Sequence, residues 1–390
     1  MIVWIHGGAF VVGAGSLSGY SGALYAQEGD LVFVTLNYRL GGFGYLMCDR
    51  DPECSNLGLL DQVAALRWVQ ENISMFGGDP GNVTVMGESA GGMSTSILLG
   101  TPAARGLFHK AVVQSGGVRP LFTTADRAQR IGQLINAVGL KTGQQHRLIE
   151  LPTDELNAAF SKISAGSGTA FLGGEPYRPE IGGQVLPVHP ARNLASIPTM
   201  IGHCDDEAEF FMATGARTLT QGLPLRMEAN TSDQVWATLS DRYSKTARPG
   251  RTWQNDLLSD AFTAVPSLRL AEGLTARGAP VWNYRFAYPA ASQFGPCHIS
   301  DVNFTFGNPE ASMLRLTWNE DAQRLSQRMR QAFITFAHKG SPQTSELPSW
   351  PVHNSRDLPY MTFDNVISLD KDWVGASRRE AWRPVRDEAF

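Results

Sequence analysis

Gly87-Glu88-Ser89-Ala90-Gly91-Gly92, directly after the strand-like run Asn82-Val83-Thr84-Val85-Met86, constrains this chain more than any other stretch. A G-x-S-x-G segment between a strand and a helix reads as a nucleophile elbow, a strained turn that lifts a serine hydroxyl out of the backbone and offers it to a base. Glycines flank the serine because larger side chains would clash with neighbouring elements. With 40 glycines among 390 residues such a pattern also arises by accident, so it needs company. The opening residues supply it. Met1-Ile2-Val3-Trp4-Ile5 is a short apolar strand that runs into His6-Gly7-Gly8-Ala9-Phe10, a turn of the H-G-G-x kind that offers backbone N–H groups to an oxyanion upstream of such a serine.

With these two segments in hand, the chain resembles the type-B carboxylesterase family, the esterase and cholinesterase branch of the α/β-hydrolases. Asn37-Tyr38-Arg39-Leu40, Asn56-Leu57-Gly58-Leu59-Leu60-Asp61-Gln62, Phe76-Gly77-Gly78-Asp79-Pro80 and Gln114-Ser115-Gly116-Gly117 stand in the family's order, and the resemblance covers nearly the whole chain. It implies an α/β fold with a mostly parallel central sheet flanked by helices, forming one domain over 1–390 with helical cap or gorge-wall insertions at about 121–192 and 213–274. It also implies that the family carries roughly a hundred residues before the first strand seen here, a length in keeping with one large α/β domain. The chain therefore reads as N-terminally truncated relative to the family, and a signal peptide and a cellular location are not legible in it. The apolar run Leu31 to Tyr38 is then expected to be an open sheet edge, prone to pairing with another chain.

A nucleophilic serine needs a base and an acid that orients the base, and in this fold they follow in the order Ser, acid, His. Among eight histidines, His298 lies in Gly295-Pro296-Cys297-His298-Ile299-Ser300-Asp301-Val302-Asn303-Phe304-Thr305-Phe306-Gly307, similar to the family segment that carries the base. His189, His203 and His338 lack that setting and suit structural roles, and His6 reads as an orderer of the oxyanion turn. For the acid, Ile201-Gly202-His203-Cys204-Asp205-Asp206-Glu207-Ala208-Glu209-Phe210-Phe211 resembles the family's strand-end segment, with Glu207 at the acid position and Ala208 where glycine is usual. Asp206 is a rival in the same loop, beside Asp205 and Glu209.

The same resemblance assigns the oxyanion hole to Gly8, Ala9 and Ala90. Ala90 follows the nucleophile and heads a helix, so a helix N-terminus adds partial positive charge there. Gly-Gly-Ala in place of Gly-Gly-Gly leaves a methyl at the rim of the hole. Ser115 resembles a serine that holds acid and base in place, or it is a turn residue that ends a strand. Glu88 either biases the site against anionic substrates or pairs with a buried arginine, and Arg39 and Asp61 resemble an architectural salt bridge. Phe10, Phe171 and Tyr177 are either pocket walls or plain core.

Composition excludes several classes of function. A formal net charge of −4 provides no basic footprint for nucleic acid. No run approaches the roughly 18 apolar residues of a membrane span. With 43% hydrophobic and 18% charged residues, the chain has ample material for a globular core. Further strands are expected at Val83 to Met86, Lys110 to Gln114, Thr199 to Gly202 and Val281 to Phe286, with a helix over Leu59 to Glu71.

Four cysteines allow three pairings. Cys48 and Cys54 flank a short polar loop that suits a disulfide in an exported protein. Cys204 and Cys297, next to the acid and base segments, are expected near each other as a disulfide or as two thiols. Their spacings do not make a metal set, and no metal or cofactor is expected. Of the N-x-S/T patterns at Asn72, Asn82, Asn230 and Asn303, those at Asn82 and Asn303 fall in core motifs unsuited to a glycan. The reading is thus a serine hydrolase of small carboxylic esters, against two alternatives: a cholinesterase-like binding or adhesion module without turnover, and an inactive esterase fragment.

Overall fold

Alternating apolar side chains on two faces build the centre of the molecule. In the computed structural model, which describes residues 1–46, 56–118, 121–166, 177–213, 231–248, 250–290, 293–312 and 314–385, eight strands form one sheet. They are β1 (Ile2–Ile5), β2 (Phe33–Thr35), β3 (Thr84–Glu88), β4 (Lys110–Gln114), β5 (Thr199–Cys204), β6 (Val281–Phe286), β7 (Pro359–Phe363) and β8 (Ser368–Lys371), in spatial order β2-β1-β3-β4-β5-β6-β7-β8. Every neighbouring pair is parallel except β7 and β8. Parallel neighbours need crossovers, and the helices Leu57–Asn72, Ala90–Gly100 and Glu320–Lys339 lie in three of them.

Both faces of the sheet are covered, so its inner strands are buried along their length. Val3, Ile5, Val85, Val113 and Ile201 point into one core, and Ile2, Trp4, Met86, Val112 and Met200 into the other. The second core is sealed by the helix Glu320–Lys339. Asn319 caps its start by accepting from the N–H of Ala322 at 2.9 Å, and Gly340 closes it in the left-handed region at φ 73°. Leu325, Met329, Phe333 and Phe336 form its buried stripe.

The expected strands are present with shifted ends. β5 runs on through His203 and Cys204, and β2 is shorter than the apolar run that suggested it. β2 lies at the edge of the sheet, with β1 as its partner among the described residues. The antiparallel pair β7 and β8 was not anticipated. Helices Thr124–Ala137 and Thr153–Gly166 fall within 121–192, Asp233–Lys245 and Trp253–Ser259 fall within 213–274, and Val265–Thr275 runs one residue past it. Cys204 and Cys297 are buried free thiols, which decides between the two states considered for them. Cys48, Cys54, Phe171 and Asn230 lie outside the described residues.

Phe304 shows how strongly this architecture rests on aromatic packing. It is fully buried in the short helix Ser300–Phe306, with the rings of Phe286, Tyr288 and Trp318 at centroid distances of 4.8, 5.4 and 5.0 Å. Phe304→Ala should lower the unfolding free energy by about 3–5 kcal/mol in a urea titration; a loss below about 1 kcal/mol would show that the surrounding rings collapse into the space.

Candidate active site

Ser89 stands at the junction of β3 and the helix Ala90–Gly100 with φ 55° and ψ −123°, a conformation that costs a non-glycine residue on the order of 1–3 kcal/mol. The neighbouring glycines make the turn sterically feasible. A Cβ on Gly91 would stand 2.0 Å from the carbonyl oxygen of Ile5, one on Gly87 2.4 Å from that of Gly91, and one on Gly92 2.5 Å from that of Gln114. Helix and strands therefore touch backbone to backbone around the serine.

The Ser89 hydroxyl lies 2.8 Å from His298 Nε2. On the other side of the ring, Nδ1–H donates to Glu207 Oε2 at 2.5 Å, and Glu207 Oε1 accepts from Ser115 Oγ at 2.6 Å and from the Cys204 N–H at 2.7 Å. Ser115 thus reaches the carboxylate, at φ 51°, beyond being a strand terminator. Glu207 and His298 are both buried, and the rings of Phe211 and Phe262 stand 5.0 and 5.2 Å from the imidazole.

Between Glu207 and Asp206, the structure brings Glu207 to the histidine. Asp206 turns its carboxylate to the guanidinium groups of Arg251 and Arg248. Its backbone instead ties the two loops together: Asp206 N–H donates to Pro296 O at 2.9 Å, and Asp206 and Cys297 form a parallel bridge. The next residue on each side of that bridge is Glu207 and His298.

Burial opposes charge on Glu207, but His298, the hydrogen bonds from His298 and Ser115, and His203 together hold its carboxyl below the ordinary range. Burial likewise works to lower His298, and Glu88 and Glu207 overcome it, so the imidazole is raised above its ordinary value. Among the described residues Glu88 pairs with no arginine. Its Oε1 lies 3.1 Å from His298 Nε2, and burial, assisted by Asp301 and Glu207 against His298, pushes its carboxyl up to about 8.

After β1 the chain passes through three left-handed residues, Gly8 at φ 114°, Ala9 at φ 55° and Phe10 at φ 61°. Among the described residues the N–H groups of Gly8 and Ala9 carry no hydrogen bond, while the Gly8 carbonyl accepts from Val11 and Val12 at 3.0 Å. Ala90 opens its helix, where the first N–H groups lack intrahelical partners. His6 orders this turn: its Nδ1–H donates to Gly7 O at 2.8 Å and its ring stacks on Tyr38 at 4.5 Å.

The remaining candidates serve the frame. His203 donates to Cys204 O at 3.0 Å, His338 to Gly29 O at 2.7 Å, and His189 accepts from the Ala191 N–H at 3.4 Å. Arg39 grips Asp61 with two side-chain bonds of 2.8 and 2.7 Å. Phe10 and Tyr177 are buried in the larger core, and Tyr177 also borders a cavity of about 840 Å³ with Val11, Tyr38, Phe43 and Phe160. Sequence reasoning missed the aromatic cradle of the histidine and the arginines on the acid loop. It also missed the buried carboxyl of Asp301, which accepts from Gln114 at 3.0 Å and Tyr284 at 2.7 Å. Among the described residues no group of three or more His, Cys, Asp or Glu could hold a metal ion, and no helix is long and apolar enough to cross a membrane.

The family model described as "Carboxylesterase family" matches residues 1–376. The chain belongs to the carboxylesterase family. It is 35% identical to the para-nitrobenzyl esterase of Bacillus subtilis over 97% of this chain and 78% of that protein. Carboxylesterase 1D of Rattus norvegicus is 32% identical over 92% of this chain and 69% of its own length. The crystal structure of a Geobacillus stearothermophilus carboxylesterase superposes with a TM-score of 0.86 at 33% identity, covering 98% of this chain and 82% of that one. Hydrolysis of carboxylic esters through a serine is accordingly the reaction class, on an α/β-hydrolase fold, and a binding module without turnover is not favoured.

These charges predict a pH dependence. Were His298 the base that accepts the serine proton, it would have to be unprotonated, and kcat/KM would fall on the acid side with a midpoint above 6.5, because His298 is raised above that value. The stability His298 contributes is fully present below its unfolded value near 6.5 and lost as pH rises through its folded value; that of Glu207 is present above about 4.5 and lost as pH falls through its depressed folded value. A pH–rate profile whose acid midpoint lies at or below 6.5 would contradict this electrostatic account.

Proposed function

We propose that Ser89 is the nucleophile, His298 the base, Glu207 the residue that orients and charges the base, and the N–H groups of Gly8, Ala9 and Ala90 the oxyanion hole. The observation that carries this reading is the unbroken run from Ser89 Oγ to His298 Nε2 at 2.8 Å and from His298 Nδ1 to Glu207 at 2.5 Å. His298 takes the hydroxyl proton as Ser89 Oγ bonds to the ester carbonyl carbon, and the carbonyl oxygen gathers negative charge against the three N–H groups. The tetrahedral species expels the alcohol oxygen with the proton from His298. Water, deprotonated by the same imidazole, then attacks the acyl group and releases the acid and Ser89. Ser115 braces Glu207, and Glu88 lies beside the base, 3.1 Å from His298 Nε2, with its carboxyl pushed toward the neutral form.

In this reading 1–390 is one domain, the helices within 121–192 and 213–274 wall the approach to the serine, and the Ala9 methyl trims the room for bulky alcohol groups. The edge strand within 31–38 offers a surface for pairing with a second copy. Light scattering should then report dimers or larger species that Val34→Lys returns to the monomer; a monomeric parent chain would contradict the pairing.

Labelling with a fluorophosphonate probe, followed by peptide mapping, tests the assignment. One adduct on the peptide containing Ser89 is expected, absent from Ser89→Ala, whose kcat should fall by on the order of 10⁶. Glu207→Gln should cost about 10⁴ in kcat by leaving the wrong imidazole tautomer, and Asp206→Asn should cost far less. Full activity of Glu207→Gln, or an adduct elsewhere in a folded protein, would overturn the assignment.

A further inference from the structure

Three arginines, Arg248, Arg251 and Arg285, converge on the two residues before Glu207, and a fourth, Arg378, joins them through Asp256. Arg248 lies 2.8 Å from the Asp205 carboxylate, 3.6 Å from that of Asp206 and 2.7 Å from that of Asp256, and donates to the Asp205 carbonyl at 3.0 Å. Arg251 pairs with Asp206 and donates to the same carbonyl at 3.4 Å. Arg285, on β6, stands 3.6 Å from Asp205, and Arg378, on the helix Ala376–Trp382, holds Asp256 at 2.8 Å. Charged side chains crowd the back of the acid loop, beside Trp373 and Ala264. The loop borders a polar cavity of about 90 Å³ whose walls include His203, Asp205, Arg248, Arg285 and Arg378. On this side ion pairs join the backbone bonds from Asp205 to Phe286 and from Asp206 to Pro296 in holding the loop.

We infer that Arg248 and Arg251 are positioning residues that clamp the Asp205-Asp206 pair and, through the bridge from Asp206 to Cys297, set Glu207 and His298 in register with one another. This rests on the assignment of Glu207 and His298 made above. The clamp acts on geometry at a distance from the ester. Removing it should therefore lower kcat while leaving KM nearly unchanged, and let the Glu207–His298 hydrogen bond lengthen. The groups that charge His298 directly are Glu88, Glu207 and Asp301. Weaker contact with Glu207 lowers the imidazole pKa whichever member of the clamp is lost.

Arg248→Met removes a positive charge and Asp205→Asn a negative one, which gives the test its power. Through space alone these changes would move the acid limb of kcat/KM in opposite directions, upward for Arg248→Met and downward for Asp205→Asn. Positioning predicts that both move it downward, with kcat reduced by about tenfold or more and KM within about twofold. Arg248→Lys, which keeps the charge but not the fork that spans two carboxylates, should recover part of kcat and substitutes for the Met variant if that protein does not melt cooperatively. Opposite shifts, or an unmoved acid limb in both variants, would overturn the clamp. Fluorophosphonate labelling of the parent chain separates the two levels: no adduct at Ser89 removes the assignment itself, whereas a normal adduct with unmoved limbs removes only the clamp.

Discussion

Three backbones approach so closely beneath Ser89 that no Cβ fits at the glycines between them, and most of the site follows from that approach. Ile5 and Gly87 pair across β1 and β3, and Glu88 pairs with Gln114 across β3 and β4. The helix that follows the serine is pressed onto both neighbours, with Gly91 against the Ile5 carbonyl and Gly92 against that of Gln114. No side chain beyond hydrogen fits at those contacts, and the chain can leave the strand only by way of a left-handed residue. The serine is that residue. Its hydroxyl is projected above the ends of the strands, where the loops after β1, β4, β5 and β6 bring Gly8 and Ala9, Ser115, Glu207 and His298. Loops at the carboxyl ends of a parallel sheet are where such folds collect their chemistry.

Burial sets the electrostatic character of this arrangement. Glu88, Glu207 and Asp301 are buried carboxyl groups that all act on one imidazole, the first two in direct contact with it. A buried carboxylate is stable only with compensation, and each obtains it differently. Glu207 has the imidazole, a serine hydroxyl and a backbone N–H. Asp301 has a tyrosine and an amide. Among the described residues Glu88 has His298 as its one ionic partner, and its carboxyl is pushed up to about 8.

Local segments of the sequence carried the strand-to-helix turn at Ser89, the glycine turn after β1 and the strands β1, β3, β4 and β6, because each is written in consecutive residues with a clear period or a glycine signature. His298 and Ser89 were legible for the same reason. The distinction between Glu207 and Asp206 was weaker in the sequence, since two adjacent carboxylates differ only in which way their side chains point, and that depends on Arg251 some 45 positions away. The clamp, the Asp206–Cys297 bridge and the Phe211 and Phe262 cradle were not legible, because they join segments far apart in the chain with no shared pattern. β8 escaped notice for another reason: its four residues are only partly buried and carry no apolar alternation. The strand run 31–38 was read too long because four of its six apolar residues, Leu31, Val32, Leu36 and Tyr38, lie outside the ladder that defines β2.

The central claim is geometric, that the three N–H groups of Gly8, Ala9 and Ala90 and the imidazole of His298 all converge on the atoms bonded to Ser89. A crystal structure of the chain after reaction with a phosphonate ester measures it most directly. The account predicts phosphorus bonded to Ser89 Oγ, its phosphoryl oxygen within about 2.7–3.1 Å of those three N–H groups, and His298 Nε2 facing the leaving-group side while Nδ1 keeps Glu207. A phosphoryl oxygen turned away from the Gly8–Ala9 turn, or His298 separated from Glu207 in a well-ordered adduct, would contradict it.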